Sequence, residues 1–459
     1  MATSGPVSET PLRVLHVGNI ANNGYLNAKL QRRVGVEADA LCDEWHILSQ
    51  PEWEDADIDG ASHAYEWLAG PAAERGWRRP EWVLGLRSWD PDFRRQPWLK
   101  ERLLILKDLP GLARRRAQLR PLYETLRPVL GHDLGVFDLA RASVWKRRLE
   151  RQVEPFSELF ARYDVVQIYG LHPVLLPIAP EMPYVAFEHG TMREIPFEDA
   201  WSGRMLSLGY RTAAKVIITN PDVVEQARLL GLDNYVFIPH PLDETKYTPG
   251  PSKLRVELEA EGFDFVLLCP SRHDWQVKGT DRLLRAFAEL VRSERPNAVL
   301  LLFDWGQEVD RSRALSRELG VERNVRWSQP LPKLRLIDAY RGSDVVLDQF
   351  LIGTFGAVAP EAMACGRPVV MAFEPSLHAW CFPVLPPIVD ARTAEQIHAE
   401  LSRLAADPEA RSELGRAGRE WVEQHHGWRL AVDRQIAIYE ELVKTEGGRR
   451  ESGLSSTAV

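Results

Sequence analysis

The chain is poor in the features that mark a secreted, membrane-embedded or metal-dependent protein. Only four cysteines occur in 459 residues. Cys42, Cys269, Cys365 and Cys381 show no paired metal-ligand spacing, and three of them stand among apolar or small residues, as reduced core thiols do. No apolar run approaches the roughly 20 residues that a membrane span needs. The opening Met-Ala-Thr-Ser-Gly-Pro lacks a basic stretch followed by a hydrophobic one. A cytoplasmic location is therefore expected. The spacing of Gly18 and Gly24 after the first apolar strand does not match a dinucleotide fingerprint, so no nicotinamide or flavin cofactor is expected.

What is present is a long, moderately acidic chain with 45% hydrophobic residues, enough for substantial cores. Its length points to two domains of roughly 200 residues each. The formal charge of −8 is unevenly spread: residues 75–151 carry 19 Lys/Arg against 9 Asp/Glu, a net of +10 that leaves −18 for the remainder.

The stretch from Asp348 to Val370 reads as a ligand cradle. Asp344 to Leu347 has the character of a buried strand, Gly353 and Gly356 permit close backbone approach, and Pro360 suits the first turn of a helix carrying Glu361. Free amides at such a helix start attract an anion. Beside it, Ser271-Arg-His-Asp-Trp-Gln-Val-Lys-Gly-Thr280 follows the apolar strand Phe263 to Cys269. It precedes a helix whose Leu283, Leu284, Phe287, Leu290 and Val291 form one face. Arg272 and Lys278 thus share one loop.

Further strands are expected at 298–303, 324–327 and 368–371, each separated by a helix-sized interval, which argues for a parallel sheet covered on both faces. The first half is less regular. Leu12 to Gly18 is a strand, followed by the Asn19 to Gly24 loop and a helix-like stretch from Tyr25 to Arg33. Strand signals return at Asp164 to Tyr169, Tyr184 to Phe187 and Lys215 to Ile218. Residues 51–160 break the alternation and read as a helical insertion, with helical patterns at 98–106, 112–126 and 137–160. Its Arg114-Arg-Arg116 and Lys146-Arg-Arg148 runs, interleaved with Trp82, Trp89, Trp98 and Trp145, suit either an anionic membrane surface, an anionic acceptor or a solvated helical face packed by its aromatics. Nucleic acid is not expected as a partner of a chain that is acidic as a whole.

The two loops of the second half resemble those of nucleotide-sugar-dependent glycosyltransferases of the GT-B fold, in particular glycosyltransferase family four, the group 1 enzymes. That group shows an arginine and a Lys-Gly in the first loop and a Glu-x7-Glu element in the second. Ile238-Pro-His-Pro-Leu-Asp is similar to the family's interdomain passage, with His240 and Pro241 in place of Asn-Gly. The resemblance implies an α/β chain of two Rossmann-like domains facing across a cleft. The domains are then residues 11–238 for the acceptor and 239–426 for the donor, with a flexible lead-in over 1–10. A last helix over 427–446 crosses back, and a disordered tail spans 447–459. It further implies a sugar transferred from a nucleotide-diphosphate sugar, as co-substrate rather than cofactor, to a glycan, lipid-linked or natural-product acceptor, with retention of configuration.

Cleaving a sugar-phosphate bond leaves negative charge on a diphosphate, so fixed positive groups are needed there. Arg272 and Lys278 suit that task without a metal, and Glu361 suits the ribose hydroxyls. Asp348, Gln349, Gly353, Thr354, Phe355 and Gly356 complete the donor-side expectation. The acceptor side comprises Gly18, Asn19, Asn23, Gly24, His172, Glu188, His189 and Gly190, with His189 expected to touch the sugar or orient the acceptor. Eight residues before Glu361 the family's first glutamate falls on Gly353, with Asp348 and Gln349 as substitute acceptor groups. The missing carboxylate leaves open a non-catalytic nucleotide-sugar-binding protein, and the histidines leave open an epimerase or hydrolase of the same fold. The Asp57-Ile-Asp59 and Asp90-Pro-Asp92 pairs lack a preceding buried strand and are not expected to hold a metal.

Overall fold

The computed structural model describes residues 11–42, 46–62, 64, 66–85, 140, 143–144, 157–170, 184–198 and 201–455. Their strands form two parallel sheets. The first runs in the order β3-β2-β1-β4-β5-β6-β7, built from β1 Arg13–Val17, β2 Glu37–Cys42, β3 Val83–Gly85, β4 Val165–Tyr169, β5 Tyr184–Phe187, β6 Lys215–Ile218 and β7 Tyr235–Phe237. The second runs β10-β9-β8-β11-β12-β13, from β8 Phe265–Cys269, β9 Ala298–Phe303, β10 Val325–Ser328, β11 Val345–Leu347, β12 Val369–Met371 and β13 Val389–Asp390. Strands such as Phe265–Cys269 and Val165–Tyr169 are buried along their whole length because helices cover both faces.

In each sheet the strand order reverses next to the first strand, between β1 and β4 and between β8 and β11. A crevice opens at such a reversal, outside the strand carboxyl ends. The loops after β8 and β11 are the two that carry the expected donor residues. The helix expected from Tyr25 begins two residues earlier, as Asn23–Arg32. β3 lies inside the expected helical insertion; a three-residue edge strand is too short to show alternation, and Trp82 before it stacks on Tyr25 at 5.2 Å. The basic runs, Trp89, Trp98, Trp145, the three helical patterns apart from residues 140 and 143–144 and the Ser157–Phe160 turn, the Asp90–Asp92 pair and His172 lie outside the described residues, as do the lead-in and residues 456–459. No helix among the described residues is long and apolar enough to cross a membrane.

The last helix, Trp428–Ser455, runs past Gly447, where the sequence suggests a disordered tail. It packs on the first domain through buried amides and hydroxyls. Gln435 Nε2 donates to Asn27 Oδ1 at 2.9 Å, and Gln31 Nε2 donates to Gln435 Oε1 at 2.9 Å. Asn27 and Gln167 both donate to the Tyr169 hydroxyl, at 2.9 and 2.6 Å, so its proton is directed to His16 Nδ1 at 2.7 Å. His16 Nε2 then carries the hydrogen and donates to Gln31 Oε1 at 3.0 Å.

Burial lowers the pKa of His16 to about 4, and does the same for His273 and His426, each to about 4. All three are almost wholly excluded from solvent. The unfolded chain takes up protons near pH 6.5 that the folded chain refuses until about pH 4, so stability present above 6.5 is lost as pH falls through that window. Each group should remove about 2 kcal/mol between pH 7 and pH 5. Urea unfolding at the two pH values measures it, and equal stabilities would show that these imidazoles protonate freely in the folded chain.

Candidate active site

Glycine and asparagine build the loop after β1. Gly24 sits where a Cβ would come within 2.2 Å of the Gly18 carbonyl oxygen, so the helix packs directly on the loop. Ala21 and Asn22 hold positive φ values of 49° and 59°. Asn19 is fully buried; its Oδ1 accepts from Tyr25 N at 2.7 Å and its Nδ2 donates to Asn22 Oδ1 at 2.8 Å. Asn19 therefore shapes the loop and is withdrawn from the cleft. Asn23 Oδ1 instead lies 3.2 Å from His240 Nδ1.

His240 comes from the interdomain passage and meets His189 at 5.7 Å between ring centroids. His189 also packs on Phe187 at 5.1 Å and Tyr169 at 5.7 Å, and its Nε2 is buried with no hydrogen-bond partner among the described residues. Burial, then the neighbouring His240, holds His189 well below an ordinary imidazole, so it is neutral. Gly190 follows in the left-handed region at φ 88°, which turns the chain sharply after the strand. Glu188 is a different case. It is fully buried, accepts from Met192 N at 3.1 Å and Asn220 Nδ2 at 3.3 Å, and so braces the loop that presents His189. Asn23, His189, Gly190 and His240 are thus brought together. His240 was visible in the sequence only as a departure from the family's interdomain Asn-Gly.

Across the cleft, the loops after β8 and β11 are laced together. Lys278 Nζ donates to Gln349 Oε1 at 2.7 Å, Phe350 N donates to the Lys278 carbonyl at 2.8 Å, and the Ser271 hydroxyl donates to Asp348. Gln349 in turn donates to the Thr354 carbonyl. Asp348 and Gln349 are both buried, so they serve the loop rather than replace a missing carboxylate. Thr354 and Phe355 are buried as well, Phe355 stacking on His378 at 4.9 Å. Arg272 is half-exposed and pairs with Asp274 at 3.4 Å. Lys278 is held by a neutral amide and not by a carboxylate among the described residues, whereas Arg272 leans on Asp274.

Gly356 has open space where a Cβ would stand, whereas at Gly353 a Cβ would come within 2.5 Å of the Glu374 Cβ. A glutamate at 353 is excluded by that neighbour. Glu361, in the helix Val358–Ala364, is buried and held by Lys333 Nζ at 2.5 Å and the Tyr340 hydroxyl at 3.0 Å. Lys333 was not legible as a site residue, because it lies in the helix Lys333–Gly342, on the far side of β11 in sequence. Asp57 and Asp59 pair with Arg335 at 2.8 and 3.8 Å. No cluster of three or more His, Cys, Asp or Glu suited to a metal occurs among the described residues.

Residues 252–421 match the family described as Glycosyl transferases group 1. A D-inositol 3-phosphate glycosyltransferase 1 of Catenulispora acidiphila is 33% identical over 220 residues, 46% of this chain and 52% of that protein. A D-inositol 3-phosphate glycosyltransferase of Segniliparus rotundus is 33% identical over 211 residues, covering 44% and 46%. The chain spans about half the length of the curated relatives it matches. Among solved structures, sucrose-phosphate synthase from Thermosynechococcus elongatus superposes with a TM-score of 0.62 at 17% identity, over 94% of this chain and 100% of that one. Anabaena HepE in complex with UDP does so with 0.58 at 16% identity, over 95% and 100%. The fold is GT-B.

Proposed function

We propose, from the premise that residues 252–421 form a domain of the group 1 glycosyl transferases, that this chain transfers a sugar from a nucleoside diphosphate sugar to an acceptor hydroxyl. The observation that carries the reading is the placing of Lys278, held by the neutral Gln349 amide, and of the half-exposed Arg272 on the loop after β8, at the strand-order reversal of the second sheet. A diphosphate leaving group needs fixed positive charge at that kind of place. Relatives named for D-inositol 3-phosphate and a neighbour crystallised with UDP support a nucleotide donor and a polar acceptor.

In this reading Lys278 and Arg272 stabilise the departing diphosphate, and Glu361 accepts from the ribose. The neutral His189, with a free ring nitrogen, contacts the sugar or the incoming hydroxyl. Retention follows if the departing diphosphate itself takes the acceptor proton on the face it leaves, a route that needs no metal. Among the described residues no carboxylate stands out as a nucleophile for a covalent route.

Gly353 favours a second reading, a protein that binds the nucleotide sugar without turnover. A panel of nucleoside diphosphates and their sugar conjugates tests both, since a ligand that binds only the folded state raises the melting temperature by mass action. The transferase reading expects a shift with one nucleotide family and diphosphate release with its sugar conjugate once an acceptor is added. A shift without release under any acceptor supports the second reading, and no shift removes both.

A further inference from the structure

The interdomain passage leaves β7 at Phe237 and then presents His240 between two prolines, Pro239 and Pro241. Proline fixes its own φ, and the residue before a proline is held to extended backbone, so the imidazole is carried on a stiff piece of chain. It stands at the carboxyl ends of the first sheet. Asn23 of the loop after β1 meets it on one side, and His189 of the loop after β5 on another, at 5.7 Å between ring centroids. β1 flanks the strand-order reversal of that sheet, where a crevice opens.

The hydrogen bonds around His240 decide which ring nitrogen is open. Asn23 Nδ2 donates to the carbonyls of Ile20 at 3.1 Å and Ala21 at 3.4 Å, which turns its Oδ1 toward His240 Nδ1, 3.2 Å away. Nδ1 therefore carries the hydrogen, and Nε2 keeps a bare lone pair with no partner among the described residues. Burial, then His426 and Arg193, lowers the pKa of His240 to about 3, so the ring stays neutral. At that atom a neutral ring accepts from a hydroxyl and has nothing to offer an oxyanion. His189 brings a second open nitrogen, the buried Nε2.

We propose that His240 is a further acceptor-binding residue, its Nε2 taking a hydrogen bond from one hydroxyl of a polyol acceptor beside the hydroxyl that meets His189. The inference rests on the transferase reading, and it adds a residue of the interdomain passage to the acceptor side. Two open nitrogens on neighbouring rings are within reach of one sugar-sized molecule, so a polyol satisfies both where a simple alcohol satisfies one. Acceptor selectivity then depends on the passage as well as on the loops of the first sheet.

The test compares two amides in the full chain. His240→Asn can keep the bond to Asn23 but ends short of the Nε2 position, whereas His240→Gln reaches it with an oxygen that accepts. UDP, ADP and GDP affinities are measured first. Initial rates of nucleoside diphosphate release from the matching sugar conjugate then follow, with glucose, myo-inositol and glycerol as acceptors. In His240→Asn the acceptor KM should rise about tenfold, as expected for one lost hydrogen bond, while nucleotide affinity and melting temperature stay as in the wild type. His240→Gln should hold the KM within threefold of wild type, a rescue that a merely structural role would not give. A KM within twofold of wild type in His240→Asn overturns the proposal, as does a His240→Gln variant impaired as deeply as His240→Asn, or a loss of nucleotide affinity in both. Should His240→Asn not fold, His240→Phe keeps the ring without its nitrogens and should show the same rise, and a wild-type KM there overturns the proposal too. Transfer to none of the three polyols by a wild type that binds nucleotide overturns the polyol site and leaves the donor side standing. Binding of none of the three nucleotides overturns the transferase reading itself, and this inference with it.

Discussion

Replacing Lys278 with alanine should lower kcat for sugar transfer by two orders of magnitude or more. What holds the Lys278 side chain sets the size of the effect. Its ammonium donates to the neutral Gln349 amide at 2.7 Å, and its main-chain carbonyl accepts from Phe350 N at 2.8 Å. The residue is therefore fixed in place without being neutralised. Gln349 passes the restraint on to the Thr354 carbonyl, so charge and backbone of the second loop form one rigid unit. A cation already positioned costs no reorganisation when negative charge grows on the leaving diphosphate. Losing one such group typically costs about 3 kcal/mol of transition-state stabilisation, which is about a hundredfold in rate. Lys278→Arg should recover only part of this, because a planar fork cannot replace a compact charge against the same amide. Steady-state kinetics with nucleotide affinity measured alongside separates the two ways the idea fails. A kcat within tenfold of wild type removes Lys278 from the phosphate site. A lost affinity with unchanged kcat makes it a ground-state contact.

Why Lys278 was readable from the sequence while Lys333 was not is a matter of contact range. Lys278 lies in a loop between an unbroken apolar strand and an amphipathic helix, and the parallel sheet places such loops at the crevice whatever else the chain does. The pairing of Lys333 with Glu361 is a tertiary accident of two helices packed on one face, and a lysine in a helix gives no local sign of it. The same holds for Gly353, whose meaning depends on Glu374, a residue beyond the next strand. In the first domain the single-residue expectations were less uniform. Asn23 and His189 both meet His240, but Asn19 and Glu188, in the same loops, turn inward to hold the backbone. Polar residues after a strand are required both to line a crevice and to satisfy its main-chain groups, and sequence does not separate those two uses. The short strand Val83–Gly85 escaped for another reason. Its role comes from pairing with β2, not from a period of its own.

Lys333→Met should cost about 3 kcal/mol of stability, because it leaves the buried Glu361 carboxylate without its cation. Among the described residues, the Tyr340 hydroxyl 3.0 Å away would remain to it. In a domain of this size the loss corresponds to a melting temperature about 6 to 12 °C lower. The double change Lys333→Met with Glu361→Gln should recover most of the stability, since a neutral amide needs no counter-charge and replacing both members of a buried pair is often nearly neutral. Nucleotide affinity should move the other way. The single variant keeps the carboxylate that accepts from the ribose, whereas the double variant has lost it and should bind the nucleoside diphosphate at least tenfold more weakly than wild type. Stability and affinity therefore separate across the two variants, which no general loosening of the domain would produce. A single variant as stable as wild type would show the pair to be solvated in solution. A double variant that binds nucleotide as the wild type does would take Glu361 out of the donor site. In either case the phosphate side, held by Lys278 and Gln349 on the loops after β8 and β11, stands on its own geometry.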